Sequence, residues 1–233
     1  TASIRRRRLP AEQVVWLVIA LAIYRRQSMP EVLATLDLAL SAASAQAVSK
    51  SAVTQARQRL GAKPLAQLFD QTARAWCQQD AEYHAWQGLS LWAMDGTTFR
   101  TPDSTNNRAH FGAQAYASGK VASYPQVRAV SITAIPTHLV SDIAFGTYAQ
   151  NEMLYAKTLV GRIADHSLTV FDRGFLSAEI LLGLTLGGQE RHYLIPAKSN
   201  TKWEVLSGSA DDCLVRMRVS PQARAKAPEL PEH

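Results

Sequence analysis

Cysteine is nearly absent from this chain: only Cys77 and Cys213 occur in 233 residues. They are far apart and outside any metal-ligand spacing, which argues against a disulfide framework or a structural zinc and suits a reducing compartment. Histidine is also sparse. His84, His110, His138, His166 and His192 are scattered without ligand spacing, so structural or surface roles are expected of them. There is no glycine-rich phosphate loop and no internal repeat. No apolar run reaches the roughly 20 residues needed to cross a bilayer. Arg5–Arg8 followed by Val14–Tyr24 has the outline of a secretory leader, but no small-residue cleavage site follows closely. A buried core helix is the better reading, with no membrane partner. The chain starts at Thr1 rather than Met, so residues are expected to be missing before it.

Apolar residues make up 47% of the chain, enough for a buried core and against general disorder. The formal charge is +6, unevenly placed: residues 1–90 hold 11 Lys and Arg against 6 acids, whereas residues 91–233 hold 14 against 13. A phosphate-attracting front followed by a nearly neutral remainder fits a DNA-binding module joined to a catalytic domain. A merely solvated basic face fits the same counts.

The first 87 residues read as helical. Leu9-Pro10-Ala11-Glu12 suits a first turn, and Ser28-Met29-Pro30-Glu31 has capping-box spacing for a helix to about Leu40. Ser41–Val48 reads as a loose connection. Ser49 or Ser51 then caps a helix ending at Gly61, with Arg57 and Arg59 on its exposed side. Pro64 opens another, with Leu65, Leu68, Phe69, Thr72 and Trp76 at helical spacing, and Trp76, Trp86 and Trp92 read as core residues rather than base-stacking platforms. Such short helices suggest a helix-turn-helix-like reader of duplex DNA, although ordinary solvated helices share the pattern.

From residue 88 the period changes. Leu89–Met94, Val127–Ala134, Leu139–Phe145, Leu168–Phe171 and His192–Pro196 read as strands, and Asn151–Ala164 and Ser177–Leu186 as helices. The order implies a mixed sheet covered by helices. Leu214–Val219 reads as a strand, and the Pro- and Ala-rich stretch after Ala223 has no period. Two domains are expected, at 1–87 and 88–233.

Asp95 and Asp172 each stand where a hydrophobic strand is expected to stop. With strands about 4.8 Å apart, a βαβ arrangement would bring both carboxylates to one sheet edge. Paired carboxylates there are hard oxygen donors suited to Mg²⁺ or Mn²⁺. Taken singly, each aspartate also fits ordinary turn chemistry.

The run Asp95-Gly96-Thr97-Thr98-Phe99-Arg100-Thr101-Pro102-Asp103-Ser104-Thr105-Asn106-Asn107 resembles the first catalytic motif of bacterial insertion-sequence transposases of the insertion element four family. Asp172-Arg173-Gly174-Phe175 resembles the second, and Arg6–Leu40 resembles that family's helical N-terminal domain. The resemblance implies a ribonuclease H-like fold and a divalent-metal DDE site, with Asp95 and Asp172 as its catalytic and metal-holding aspartates. It also implies hydrolysis and strand transfer at the inverted repeats of an insertion sequence and at target DNA, by a dimer on DNA in the bacterial cytoplasm and nucleoid. The family's third acid lies on a late helix in a Tyr-Arg-Glu-Lys-like motif, after a β-rich insertion. Glu179, Glu190 and Glu204 come too early for it, and Glu229 and Glu232 sit in a Pro-rich tail. The expectation is therefore an incomplete catalytic domain, ending at or in the insertion and inactive by itself. Two alternatives are a non-catalytic truncated transposase that occupies transposon ends, and a ribonuclease H-like nuclease.

Arg100 and Asn107, beside the first acid, read as DNA contacts or as loop structure. Arg173 reads as a phosphate contact or a surface ion pair. Lys198, after the last sheet strand, reads as reaching DNA or as a solvated lysine.

Overall fold

In a computed structural model of the chain, residues 9–36, 49–79, 83–209, 211–228 and 230–232 are described. Arg5–Arg8, the end of the second helix as far as Leu40, and the connection Ser41–Val48 lie outside these residues. Packing divides the chain into two units, Thr1–Thr72 and Ala73–His233.

The first unit is built on apolar stripes of short helices. α1 (Ala11–Ile23) starts after Pro10, whose fixed φ suits entry to a helix. α2 (Met29–Thr35) starts in the expected capping box: the Ser28 amide donates to Glu31 Oε2 at 2.6 Å, and the Ser28 side chain takes the amide of Glu31. α3 (Lys50–Leu60) is capped by Ser49, which accepts from the Ala52 amide at 3.2 Å, and closes on Gly61 at φ 67°. Val14, Leu17, Ala20, Val32, Val53 and Ala56 form the core. Complete burial of a leucine such as Leu17 contributes about 1.5–3 kcal/mol.

α4 (Lys63–Gln79) buries only Ala73 and Cys77, four residues apart on one face. Trp76 was expected in the core, and so was Trp86; they are 57% and 52% exposed, and of the three candidate tryptophans only Trp92 is buried. Helical spacing placed Trp76 on a stripe with Leu65, Leu68 and Phe69, yet the buried stripe is the narrow one through Ala73 and Cys77.

The second unit is a five-stranded mixed sheet in the order β3-β2-β1-β4-β5. β1 (Ser90–Arg100), β2 (Gln126–Ala134) and β3 (Val140–Thr147) form an antiparallel meander, while β4 (Ser167–Phe171) runs parallel to β1 and β5 (Arg191–Leu194) parallel to β4. α5 (Thr105–Phe111) follows β1 and is capped by Ser104. α6 (Glu152–Val160) carries the chain from β3 across to β4, and α7 (Ala178–Thr185) from β4 to β5. Their apolar sides meet one sheet face in a single cluster that includes Trp92, Met94, Val130, Ile132, Leu159, Phe171, Ile180 and Leu184.

Several expectations need correction. β1 does not stop at Met94: β2 pairs with it as far as Arg100↔Gln126, and this pairing overrides the turn preference of Asp95-Gly96. The strands on either side of α6 are not neighbours; β4 lies beside β1, and both β2 and β1 stand between it and β3. α6 ends at Val160, not at Ala164. Residues after Lys198 form a hairpin, β6 (Glu204–Gly208) with β7 (Cys213–Arg216), and α8 (Pro221–Lys226), capped by Ser220, lies in the Pro- and Ala-rich tail. α5 and β6 were not foreseen, because neither carries a clear apolar period.

Candidate active site

Strand register places the two acids. Met94↔Phe171 is the last pair of the parallel β1–β4 ladder, and Asp95 and Asp172 are the residues that follow it on neighbouring strands. Met94 and Phe171 both point into the core beneath α6 and α7. By alternation, Asp95 and the still-extended Asp172 leave the sheet on its opposite face, and both are exposed. Asp95 shares that face with Thr97 and Phe99.

Each carboxylate is oriented by its own backbone. Asp95 Oδ1 accepts from the Gly96 amide at 2.8 Å, and Asp172 Oδ1 accepts from the Gly174 amide at 2.6 Å. The second contact caps a single 3₁₀ turn, Arg173–Phe175. A Cβ on residue 174 would lie 2.7 Å from Asp172 Oδ1, so a larger residue there would push the carboxylate off this amide. Phe175, buried in the core, anchors the far side of the turn.

A third carboxylate stands close by, and sequence reasoning missed it. Glu152, the first residue of α6, lies against Gly96 from the core side, in space that any side chain at 96 would fill. Burial pushes its carboxyl above the usual carboxylate range; Asp172 and Asp95 push the same way, and Arg128 opposes them. An acid in a first helical turn is an ordinary dipole preference, so nothing in the residues around Glu152 marks it out.

Exposed aspartate oxygens on adjacent strands are donors of the kind that Mg²⁺ and Mn²⁺ take. Among the described residues, no three His, Cys, Asp or Glu side chains gather closely enough to hold an ion together, so Glu152 stands apart from the pair as a neighbouring charge.

The remaining candidates divide. Lys198 donates from Nζ to the Leu176 carbonyl at 3.4 Å, which draws it toward the loop that carries Asp172. Arg173 is exposed beside Asp172. Arg100 lies five residues beyond Asp95 on β1, its guanidinium 4.2 Å from the Tyr124 ring centroid. The Asn107 side chain donates to the Pro102 carbonyl at 2.9 Å, and its amide donates to Ser104 Oγ at 3.2 Å. Arg108 likewise grips both oxygens of Asp103 and the Ser123 carbonyl. Arg57 and Arg59 are exposed in the last turn of α3, in the other unit.

A cavity of about 440 Å³ lies away from these acids, near the start of β1, and is lined by Arg74, Trp92, Asp142, Arg162 and Arg191, among others. Its guanidinia are engaged with Asp142, Asp165 and the Gly161 carbonyl, as an ion network that seals the end of α6.

Among the described residues, no helix is long and apolar enough to cross a membrane.

Comparison with known proteins gives the context of this geometry. Residues 1–70 match the model of the insertion element 4 transposase N-terminal domain, and residues 86–231 match that of the transposase DDE domain. The chain is 38% identical over 231 residues to the transposase InsG for insertion sequence element IS4 of Escherichia coli (strain K12), covering 99% of this chain and 52% of that protein. It is 36% identical over 209 residues to the putative transposase InsZ of the same strain, covering 88% of this chain and 67% of the relative. It thus spans about half the length of the first relative and two thirds of the second. A piggyBac transposase in a synaptic complex with hairpin DNA, seen by cryo-EM, aligns with a TM-score of 0.40 at 12% identity, over 82% of this chain and 42% of that one. The chain belongs to the insertion element 4 family of DDE-domain transposases.

Proposed function

We propose that this chain carries the DNA-recognition part and the first two catalytic acids of an insertion-sequence transposase, on a ribonuclease H-like sheet. The observation that carries this reading is the register Met94↔Phe171, which sets Asp95 and Asp172 side by side where β4 ends. The two carboxylates would hold Mg²⁺ or Mn²⁺. Bound there, such ions activate an attacking water or 3′-hydroxyl and stabilise the leaving oxygen of a phosphodiester. The protein's own part is positional. Backbone amides fix one oxygen of each aspartate, and Arg173 and Lys198 bring positive charge to the same loops for a DNA phosphate. Arg57 and Arg59 supply charge in the helical unit for duplex ends, and Arg100 does so along β1. The partner is double-stranded DNA at inverted repeats and target sites, engaged by a dimer in the bacterial nucleoid.

Two carboxylates anchor one ion well and leave a second without a protein ligand. Cleavage by the 233-residue chain alone should therefore be weak, since stabilisation of developing charge is usually the largest catalytic term.

Mn²⁺ titration followed by electron paramagnetic resonance tests the site. The chain should take up Mn²⁺ weakly, and Asp95→Asn and Asp172→Asn should each abolish uptake without altering the circular dichroism. Unchanged uptake in both variants would remove the metal role.

A further inference from the structure

Beyond Asp95, β1 has no described strand on its β4 side, because β4 ends at Phe171. Its other side stays paired with β2, through Thr98↔Arg128 and Arg100↔Gln126. Alternation then puts Arg100 and Arg128 on one face of the β1–β2 pair, as diagonal neighbours about 7–8 Å apart at the backbone. It is the face that α6 covers farther back; here α6 has only begun, and the surface carries these two arginines.

Both arginines are held in the same way. The Arg100 guanidinium lies 4.2 Å from the ring centroid of Tyr124, two residues before Gln126. The Arg128 guanidinium lies 4.4 Å from the ring centroid of Tyr148, two residues past its β3 partner Gly146. Each pair is thus a cross-strand diagonal, repeated one strand over. A guanidinium stacked on a ring keeps its in-plane N–H donors directed outward, in a fork that matches phosphate oxygens. Arg128 spends one donor on the Gln150 carbonyl at 3.1 Å. Arg100 has no ion-pair partner among the described residues.

We propose that Arg100–Tyr124 and Arg128–Tyr148 form a cradle for two successive phosphates of a DNA strand that crosses the open edge of β1 toward Asp95. The diagonal spacing of the arginines is comparable with that of neighbouring phosphates along a strand. Arg100 is about 17 Å along the strand from Asp95, at ~3.4 Å per residue, and Asp95 leaves the sheet on the other face. The DNA strand therefore passes round the open edge of β1, and the cradle holds it a few nucleotides from the acids. The cradle rests on the reading that the chain acts on DNA, and it adds Arg128, Tyr124 and Tyr148 to the residues that do so.

Fluorescence anisotropy of the whole chain with a labelled DNA oligonucleotide, over a range of salt, tests it. Arg100→Ala and Arg128→Ala should each weaken binding and lower the slope of log K against log salt by about 1, and the double variant by about 2. Arg128→Lys should fail to restore affinity, because a lysine can neither stack flat nor fork. Tyr124→Leu and Tyr148→Leu should each bind less tightly than the parent, because the ring that holds the guanidinium flat is gone. Arg218→Ala, an exposed cation elsewhere, should leave the slope unchanged. A purely structural role would lower the melting temperature and leave the slope intact, and that result overturns the cradle. If the parent chain binds no DNA, the underlying reading fails as well. If the parent binds with a salt slope unaltered in the double variant, the cradle alone fails.

Discussion

Glu152 occupies the space that a side chain on Gly96 would need, so the first turn of α6 sits directly against the strand residue next to Asp95. The requirement for glycine here comes from close approach and not from backbone conformation. It ties the position of the α6 cap to the position of an acid of the site.

Gly96→Ala should destabilise the second unit. The new methyl meets the carboxylate end of the half-buried Glu152 side chain, which can swing aside, so the cost should fall at or below the low end of the roughly 1–3 kcal/mol of core overpacking. Adding Glu152→Ala should recover much of the loss, since it removes the group that the methyl strikes. Urea unfolding of the two single variants and the double gives the coupling, and additive effects would show that the contact is unimportant.

Glu152 also makes a pH prediction. Burial, the main cause, raises its carboxyl above the ordinary glutamate value, so the folded state prefers it protonated. The stability it contributes is complete below the ordinary glutamate value and is lost as pH rises through the higher folded value. Glu152→Gln should therefore gain in melting temperature relative to the parent over the pH window that opens at the ordinary glutamate value, about 4.3. A difference that stays flat or reverses over this window would contradict the assignment.

Asp142 is buried; its Oδ1 accepts from Arg74 at 2.9 Å and forms an ion pair with Arg162 at 2.7 Å. These contacts tie α4 and the end of α6 to β3. Asp142→Asn keeps the shape and removes the charge; hydrogen bonds to charged groups are worth about 1.5–3 kcal/mol, so a loss of ~2 kcal/mol is expected. Chemical denaturation measures it, and a neutral result would mean that the two half-exposed arginines find equal partners in water.

In the first unit, Leu17 is fully buried between α1, α2 and α3. Leu17→Ala should cost about 2–5 kcal/mol, the range for deleting a buried leucine. Limited proteolysis should then cut within residues 9–60 before it cuts the sheet. Simultaneous loss of both units would show that they unfold as one.

Local chemistry settled a good part of this protein in advance. The Ser28–Glu31 box, the Ser49 cap and the five strands follow from residue type and period, because capping and alternation act over only a few residues. Asp172 at a strand end was legible for the same reason: an apolar run stops, and an Asp-x-Gly turn begins. The tertiary structure decided what depends on partners distant in sequence. β2 kept Asp95 within a strand although Asp-Gly favours a turn, since ladder pairing outweighs a local preference. The sheet order set β4, not β3, beside β1, and so brought together aspartates 77 residues apart in sequence. Glu152 and the two stacked arginines were invisible for the same reason: an acid in a first turn or an arginine on a strand is commonplace until the fold puts a glycine, a tyrosine or a second acid next to it.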